Sequence, residues 1–340
     1  MKLESRTRRI GALLLAGYCS TVCAGQQVQL PSYSPAPLDG GVVRSWGDNA
    51  MRGTMLGWEA AFRKYHPEIT FVDTLYGTGT GMAGIITGVS DLSLMGRPVT
   101  VNEVIGFEWV HRTKPLGIQV VTGGLAGDGK SPALAVFVSA RNPVNQISMA
   151  QLATILGCPS DSRTPPTWSM AGAQGSWANK PVHAYVFDSG TGTGAFLQQA
   201  VQGTNDCWNW SMVDEFKDIG RADGSNYSAA QQTLDALRRD PNGLAISSAG
   251  LAQDGVKLLA LGDRGSAIKP TPETLIDESY PLTRGVYVYI NRETNKPVDA
   301  RVNEFLRFIL SDEGQAIARK QGDYLPLSPS IDLEQVKKLQ

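Results

Sequence analysis

The sequence holds only three histidines, His66, His111 and His183, and four cysteines among 340 residues. The histidines share no metal-type spacing with one another or with Cys158 and Cys207, so no metal centre or cofactor is expected. No Gly-x-Ser-x-Gly elbow occurs, which removes the common serine-hydrolase arrangement. Heptads, internal repeats and blocks of like charge are absent. Lys and Arg total 31 against 32 Asp and Glu. There is thus no basic excess to hold nucleic acid, and any anion site must be built locally. Past the N-terminus, no run is long and apolar enough for a membrane helix.

What is present begins with a leader. Lys2, Arg6, Arg8 and Arg9 precede an apolar run from Ile10 to Val22, and Val22-Cys23-Ala24 offers small or short residues to a signal peptidase. Residues 1–24 are therefore read as a secretory signal. A lipid anchor on Cys19 or Cys23 is the alternative, but Tyr18 and Val22 stand where a small residue is wanted. The product is expected to be periplasmic or secreted. In that oxidising setting, Cys158 and Cys207 are expected to form one disulfide, against the alternative of two buried thiols.

Residues 25–41 carry Pro31, Pro35, Pro37 and a Gly pair without periodicity and read as a linker. Strands are expected from Val42 to Gly47, Ile69 to Leu75 and Asp91 to Met95. Between them, apolar residues at helical spacing from Met51 to Tyr65 predict a helix capped by Asp48 or Asn49, and Met82 to Thr87 a brief one. Strand, turn and helix alternate, which is the mark of a parallel α/β sheet with ligands collecting at strand ends. The pattern returns at Val182 to Phe187, followed by a helix from Gly194 to Gln202. Helices are also expected at Ser148 to Ile155, Ser228 to Arg239, Val298 to Ser311 and Glu313 to Gln321, and strands at Gly117 to Val121, Leu134 to Val138, Gly243 to Ser247 and Val286 to Ile290. Pro159 to Lys180 reads as an irregular loop.

Three loops share one form, a strand, then small or polar residues, then a helix: Gly47 to Ala50, Gly77 to Gly81 and Ser189 to Thr193. Each places free backbone N–H groups at a helix start, where the dipole favours an anion. Singly, each reads first as an ordinary capped turn; three in one chain point to an anion site. Gly79 to Gly84 also fits a dinucleotide pattern, but lacks the long helix and the ribose-binding acid. Asp188-Ser189-Gly190 mimics an aspartic-protease loop, yet no second copy exists to complete a carboxylate pair. Trp168, Trp177, Trp208 and Trp210 are expected to pack the long loop around the two cysteines.

These pieces, in their order, resemble the periplasmic phosphate-binding proteins of phosphate ABC transporters, from about Val42 to Leu327. The matching segments include Gly77-Thr78-Gly79-Thr80-Gly81, Asp91 to Pro98, Asp188-Ser189-Gly190-Thr191, Asp240 to Ile246, Tyr280 to Arg284, and Leu310 to Gln315 with Tyr324 to Leu327. The resemblance implies a two-lobed α/β periplasmic-binding-protein fold, each lobe a mixed sheet flanked by helices, joined by two hinge crossovers. Residues 42–130 and 286–327 would form lobe one, 133–283 lobe two, and 328–340 a C-terminal tail. It implies a non-enzymatic receptor, expected to be a monomer, that captures phosphate or a related oxyanion and meets an ABC transporter permease. A transporter-independent sensor or scavenger, and an exported phosphatase, are the alternatives; sulfate, molybdate or small carboxylates are other candidate ligands.

The implied ligand groups are Asp48, Asn49, Ala50 and Met51; Thr78, Gly79 and Thr80; Gly96 and Arg97; and Ser189, Gly190 and Thr191, with Thr193 a substitute for Thr191. The sequence departs from the family in three places, one being a spacing from Thr191 to Phe196 that is one residue longer than usual. Tyr185 stands where well-studied members carry an arginine, and Gly96 where they carry an acid. Arg97 is therefore expected to supply the cation. Asp48 is expected to supply the acceptor that a protonated oxyanion requires.

Overall fold

Strand and helix alternate from the first element onward in the computed structural model, which describes residues 30–125, 131–158, 164–203, 207–251, 253–263, 265–293 and 296–340. The leader at 1–24 lies outside them. The first run is β1 (Gly41–Gly47), α1 (Arg52–Phe62), β2 (Ile69–Thr74), α2 (Thr78–Thr87), β3 (Leu92–Met95), α3 (Val101–His111) and β4 (Leu116–Gly123). The chain then crosses to β5 (Leu134–Ser139), β6 (Gln146–Ile147), α4 (Met149–Leu156), β7 (Ala184–Phe187), α5 (Gly192–Gln202), β8 (Val213–Phe216), β9 (Ile219–Gly220), β10 (Asn226–Tyr227), α6 (Ala229–Arg239), β11 (Leu244–Ser248), β12 (Val256–Leu258), β13 (Ala260–Leu261) and α7 (Pro272–Ile276). It returns through β14 (Gly285–Ile290), α8 (Ala300–Ile309), α9 (Asp312–Gln321), β15 (Tyr324–Leu325) and α10 (Pro329–Lys338).

Two mixed sheets result. The first has the order β15-β4-β14-β3-β1-β2, and the second β12-β5-β11-β7-β8. In the first, β1 runs parallel to β2 and β3, while β14 is antiparallel to β3 and β4. In the second, β7 runs parallel to β8 and β11, while β5 is antiparallel to β11 and β12. Each sheet has its own apolar core. Trp58, Phe62, Phe305 and Phe308 pack α1 and α8 on the first. Trp168, Trp208 and Leu197 fill the second, beside the Cys158–Cys207 disulfide with its Cα atoms 5.3 Å apart. The molecule is thus two-lobed, with two chain crossings between lobes. Among the described residues no helix is long and apolar enough to cross a membrane.

Four of the segments that differ from expectation do so for a physical reason. α2 starts at Thr78, not Met82, so the Gly-Thr-Gly stretch is helical. Two of its glycines serve close packing: a Cβ on Gly84 would come within 2.9 Å of Trp46 Cβ, and one on Gly81 within 3.0 Å of Met95 Sδ. α3 was not anticipated; Thr100 and Glu103 start it with a reciprocal capping box. The linker residues from 30 onward are laid against lobe one, where the Tyr33 hydroxyl donates to Glu304 at 2.8 Å and its amide to Glu313 at 2.7 Å. The C-terminal tail is a helix. A bulge pairs Val286 with Val121 and Tyr287 with Gln119, and Gln335 of α10 accepts the Gln119 amide at 3.0 Å. The helix thereby satisfies a backbone donor at the bulge.

Candidate functional site

The carboxyl ends of the parallel strands in both sheets face one cavity of about 310 Å³. That is where ligands gather in open α/β sheets. β1 ends at Gly47, whose φ of +132° and contact with the Leu94 carbonyl leave no room for a Cβ. The chain thereby turns into Asp48, whose Oδ1 accepts from the Ala50 amide at 2.9 Å and whose Oδ2 accepts from Ser131 Oγ at 3.1 Å. The starts of α1, α2, α5 and α6 all reach the cavity wall, through Ala50, Thr78, Thr193 and Ala229. First-turn amides have no acceptor within their own helix; the Ala50 amide, in the short turn before α1, is given to Asp48 and the Ala229 amide to Asp218, so the starts of α2 and α5 are the ones that offer donors to the cavity.

Of the two cations at the wall, Lys217 and Arg284, the buried one is Arg284, immediately before β14 and 1% exposed. Its Nη2 and Nε donate to the Gly96 carbonyl at 2.6 and 3.1 Å, and its Nη1 donates to Thr193 Oγ1 at 2.9 Å. Burial lowers its pKa to about 10, with the Asp48 carboxylate acting in the opposite direction. It therefore remains a cation at neutral pH.

The residues expected from sequence divide into three sets. Asp48, Asn49, Ala50, Thr78, Thr191 and Thr193 line the cavity. Gly96 lies directly behind it: its carbonyl holds Arg284, and a Cβ there would stand 2.5 Å from Asp48 Oδ2. The others are not part of its lining. Met51 is fully buried in the first core. Gly79 and Thr80 belong to the first turn of α2, with Thr80 Oγ1 bonded back to the Gly77 carbonyl at 2.9 Å. Ser189 gives its amide and hydroxyl to Glu215, and the Gly190 amide goes to Asp188 Oδ1 at 2.8 Å.

Arg97 is placed apart from the cavity. Its guanidinium makes two 2.8 Å bonds to the Glu103 carboxylate and one of 2.9 Å to the Pro98 carbonyl. Burial alone would raise the Glu103 pKa, but the bonds from Arg97 and Thr100 hold it below the usual range. The pair anchors the start of α3. Tyr185 is likewise turned aside, its hydroxyl 3.2 Å from Asp240 and its ring stacked on His183. The cation thus comes from the return crossing, not from β7. Arg284 stood inside a segment matched to the family, but no local signal marks a lone arginine before a strand as buried. Ser131, Lys217, Asp218 and Ser228 also line the cavity and were not anticipated. Among the described residues no group of three or more His, Cys, Asp or Glu could hold a metal ion.

A family model described as the PBP superfamily domain matches residues 34–313. The chain is 27% identical over 316 residues to the phosphate-binding protein PstS of Pseudomonas aeruginosa, covering 91% of this chain and 90% of that one. It superposes on an ABC-type phosphate transport receptor from Vibrio cholerae with a TM-score of 0.58 at 15% identity, over 84% of this chain and 100% of that one. PstS from Borrelia burgdorferi gives 0.57 at 16%, over 84% and 98%. With a match across most of its length and a two-lobed architecture to go with it, the chain belongs to the PBP superfamily domain family.

Proposed function

We propose that the protein is an exported receptor that captures phosphate, or a tetrahedral oxyanion like it, between lobe one (42–130 with 286–327) and lobe two (133–283). It then presents the anion to an ABC transporter permease, and its role is binding, not catalysis. The observation that carries this reading is Arg284, a fully buried guanidinium on a cavity that the starts of α2 and α5 also reach. A buried cation and converging amide donors suit a small anion. Asp48 faces the same space as a hydrogen-bond acceptor, which a protonated oxyanion can satisfy and a bare one cannot. The relatives named for phosphate binding or phosphate transport point to the same class.

Calorimetry on ligand-stripped protein with phosphate, sulfate and molybdate tests the reading. Saturable one-to-one binding of phosphate, with sulfate weaker, is expected. No heat with any oxyanion would remove the proposal.

A further inference from the structure

The cavity is larger than a bare oxyanion needs. Its volume is about 310 Å³. Pockets for small organic molecules begin at roughly 300 Å³. A tetrahedral anion takes the place of only a few waters, each with about 30 Å³ in the liquid. The lobes already touch at one edge of the cavity. Thr78 of lobe one and Gly192 of lobe two already meet, since a Cβ on Gly192 would lie 3.1 Å from Thr78 Oγ1.

The walls beyond Arg284, Asp48 and the hydroxyls of Thr78 and Thr193 have a different chemistry. Pro132, Phe187, Ala229 and Ala230 present carbon, for which an inorganic anion has no matching surface. Lys217, Asp218 and Ser228 add an ammonium, a carboxylate and a hydroxyl. The Asp218 carboxylate is fixed in place, Oδ1 accepting from the Ala229 amide at 2.8 Å and Oδ2 from Asn226 Nδ2 at 2.9 Å. Each oxygen keeps a further lone pair. A second anionic group beside Asp218 would be repelled, which disfavours diphosphates and dicarboxylates. A hydroxyl both donates and accepts, so it suits a lysine and an aspartate side by side.

We infer that the site takes the phosphomonoester of a short polyol. The phosphate sits by Arg284 and Thr193, and the hydroxylated carbon chain lies along Ala229 and Ala230 toward Lys217 and Asp218. This rests on the oxyanion reading above and specifies its ligand class.

The test is calorimetry of the ligand-stripped protein with inorganic phosphate and with glycerol 3-phosphate, repeated on Lys217→Ala and Asp218→Asn. The ester is expected to bind at least as tightly as phosphate. Its affinity relative to phosphate should fall about tenfold in each variant, as loss of one hydrogen bond to a charged group implies. Phosphate binding with the ester excluded would overturn this inference and leave the oxyanion reading standing. Binding of both, with the ratio unchanged in both variants, would also overturn it. Binding of neither would overturn the oxyanion reading and this inference with it.

Discussion

Arg284 and Thr193 join the two lobes across the cavity: the guanidinium at the head of β14 donates to the threonine hydroxyl at the start of α5 over 2.9 Å. The arginine of the return crossing therefore touches both the ligand space and the second lobe. Arg284→Gln is expected to weaken oxyanion binding by about 1.5–3 kcal/mol, the range for a hydrogen bond to a charged group. Arg97→Ala is expected to leave affinity unchanged and instead lower stability by about 1–3 kcal/mol, because Glu103 loses its partner. Calorimetry and thermal melting on both variants separate the two arginines. Reversed effects would return Arg97 to the site.

Asp48 has both a structural and a recognition role within reach, since it accepts from the Ala50 amide and faces the cavity. Asparagine caps a helix nearly as well as aspartate. Asp48→Asn is expected to keep the melting temperature close to that of the parent while narrowing the preference for phosphate over sulfate. Competition of the two anions measures this directly. An unchanged preference would leave Asp48 with its structural bonds to Ala50 and Ser131 alone.

Burial and the neighbouring Asp73 push the Glu59 carboxyl from its ordinary 4.5 up to about 8. A folded-state value raised in this way gives a contribution fully present below pH 4.5 and lost as pH rises through about 8. The slope per group is at most about 1.4 kcal/mol per pH unit. Urea midpoints between pH 5 and 9 should therefore fall more steeply in the parent than in Glu59→Gln. Parallel curves would show that Glu59 does not hold its proton in the folded state.

Two glycines of α2 are expected to respond in opposite directions to the same change. Gly79→Ala meets nothing within 4 Å. It should stabilise by about 0.4–1 kcal/mol through the unfolded chain. Gly84→Ala drives a Cβ against Trp46 and Ser90. It should destabilise by about 1–3 kcal/mol through overpacking. Denaturant melts of the two variants decide the matter, and equal shifts would contradict the packing account.

The architecture was legible because its signals are local and periodic. Met51, Met55, Trp58 and Phe62 announced α1, and Asp48 its start, where the side chain caps the short turn before the helix. The loops at Asp48, Thr78 and Thr191, which line the cavity, could be singled out because strand, small residue and helix occur in sequence. Two further starts were written just as plainly and passed over: Thr100 with Glu103 before α3, and Ser328 with Pro329 before α10. Arg284 and Arg97 could not be told apart by pattern. Each follows or precedes a strand, and only the tertiary pairing of Arg97 with Glu103 decides which guanidinium is left for the cavity. The lower wall at Lys217 and Asp218 is likewise brought to the site by β8, a strand the spacing did not reveal.

The position of β14 between β4 and β3 governs the order in which the lobes can be completed. Until residues 285–290 are present, β4 has no bonded neighbour joining it to β3, and the first sheet exists only as separate pieces. The second sheet, by contrast, is built from one uninterrupted stretch of chain. Emerging from the N-terminus, whether from a ribosome or an export channel, the polypeptide can finish its second lobe while its first still waits for a strand about 160 residues further along, a long-range closure of the kind that slows folding. The lobe begun first is thus the lobe finished last, and Arg284, arriving with that strand, is the last of the charged cavity residues to be added.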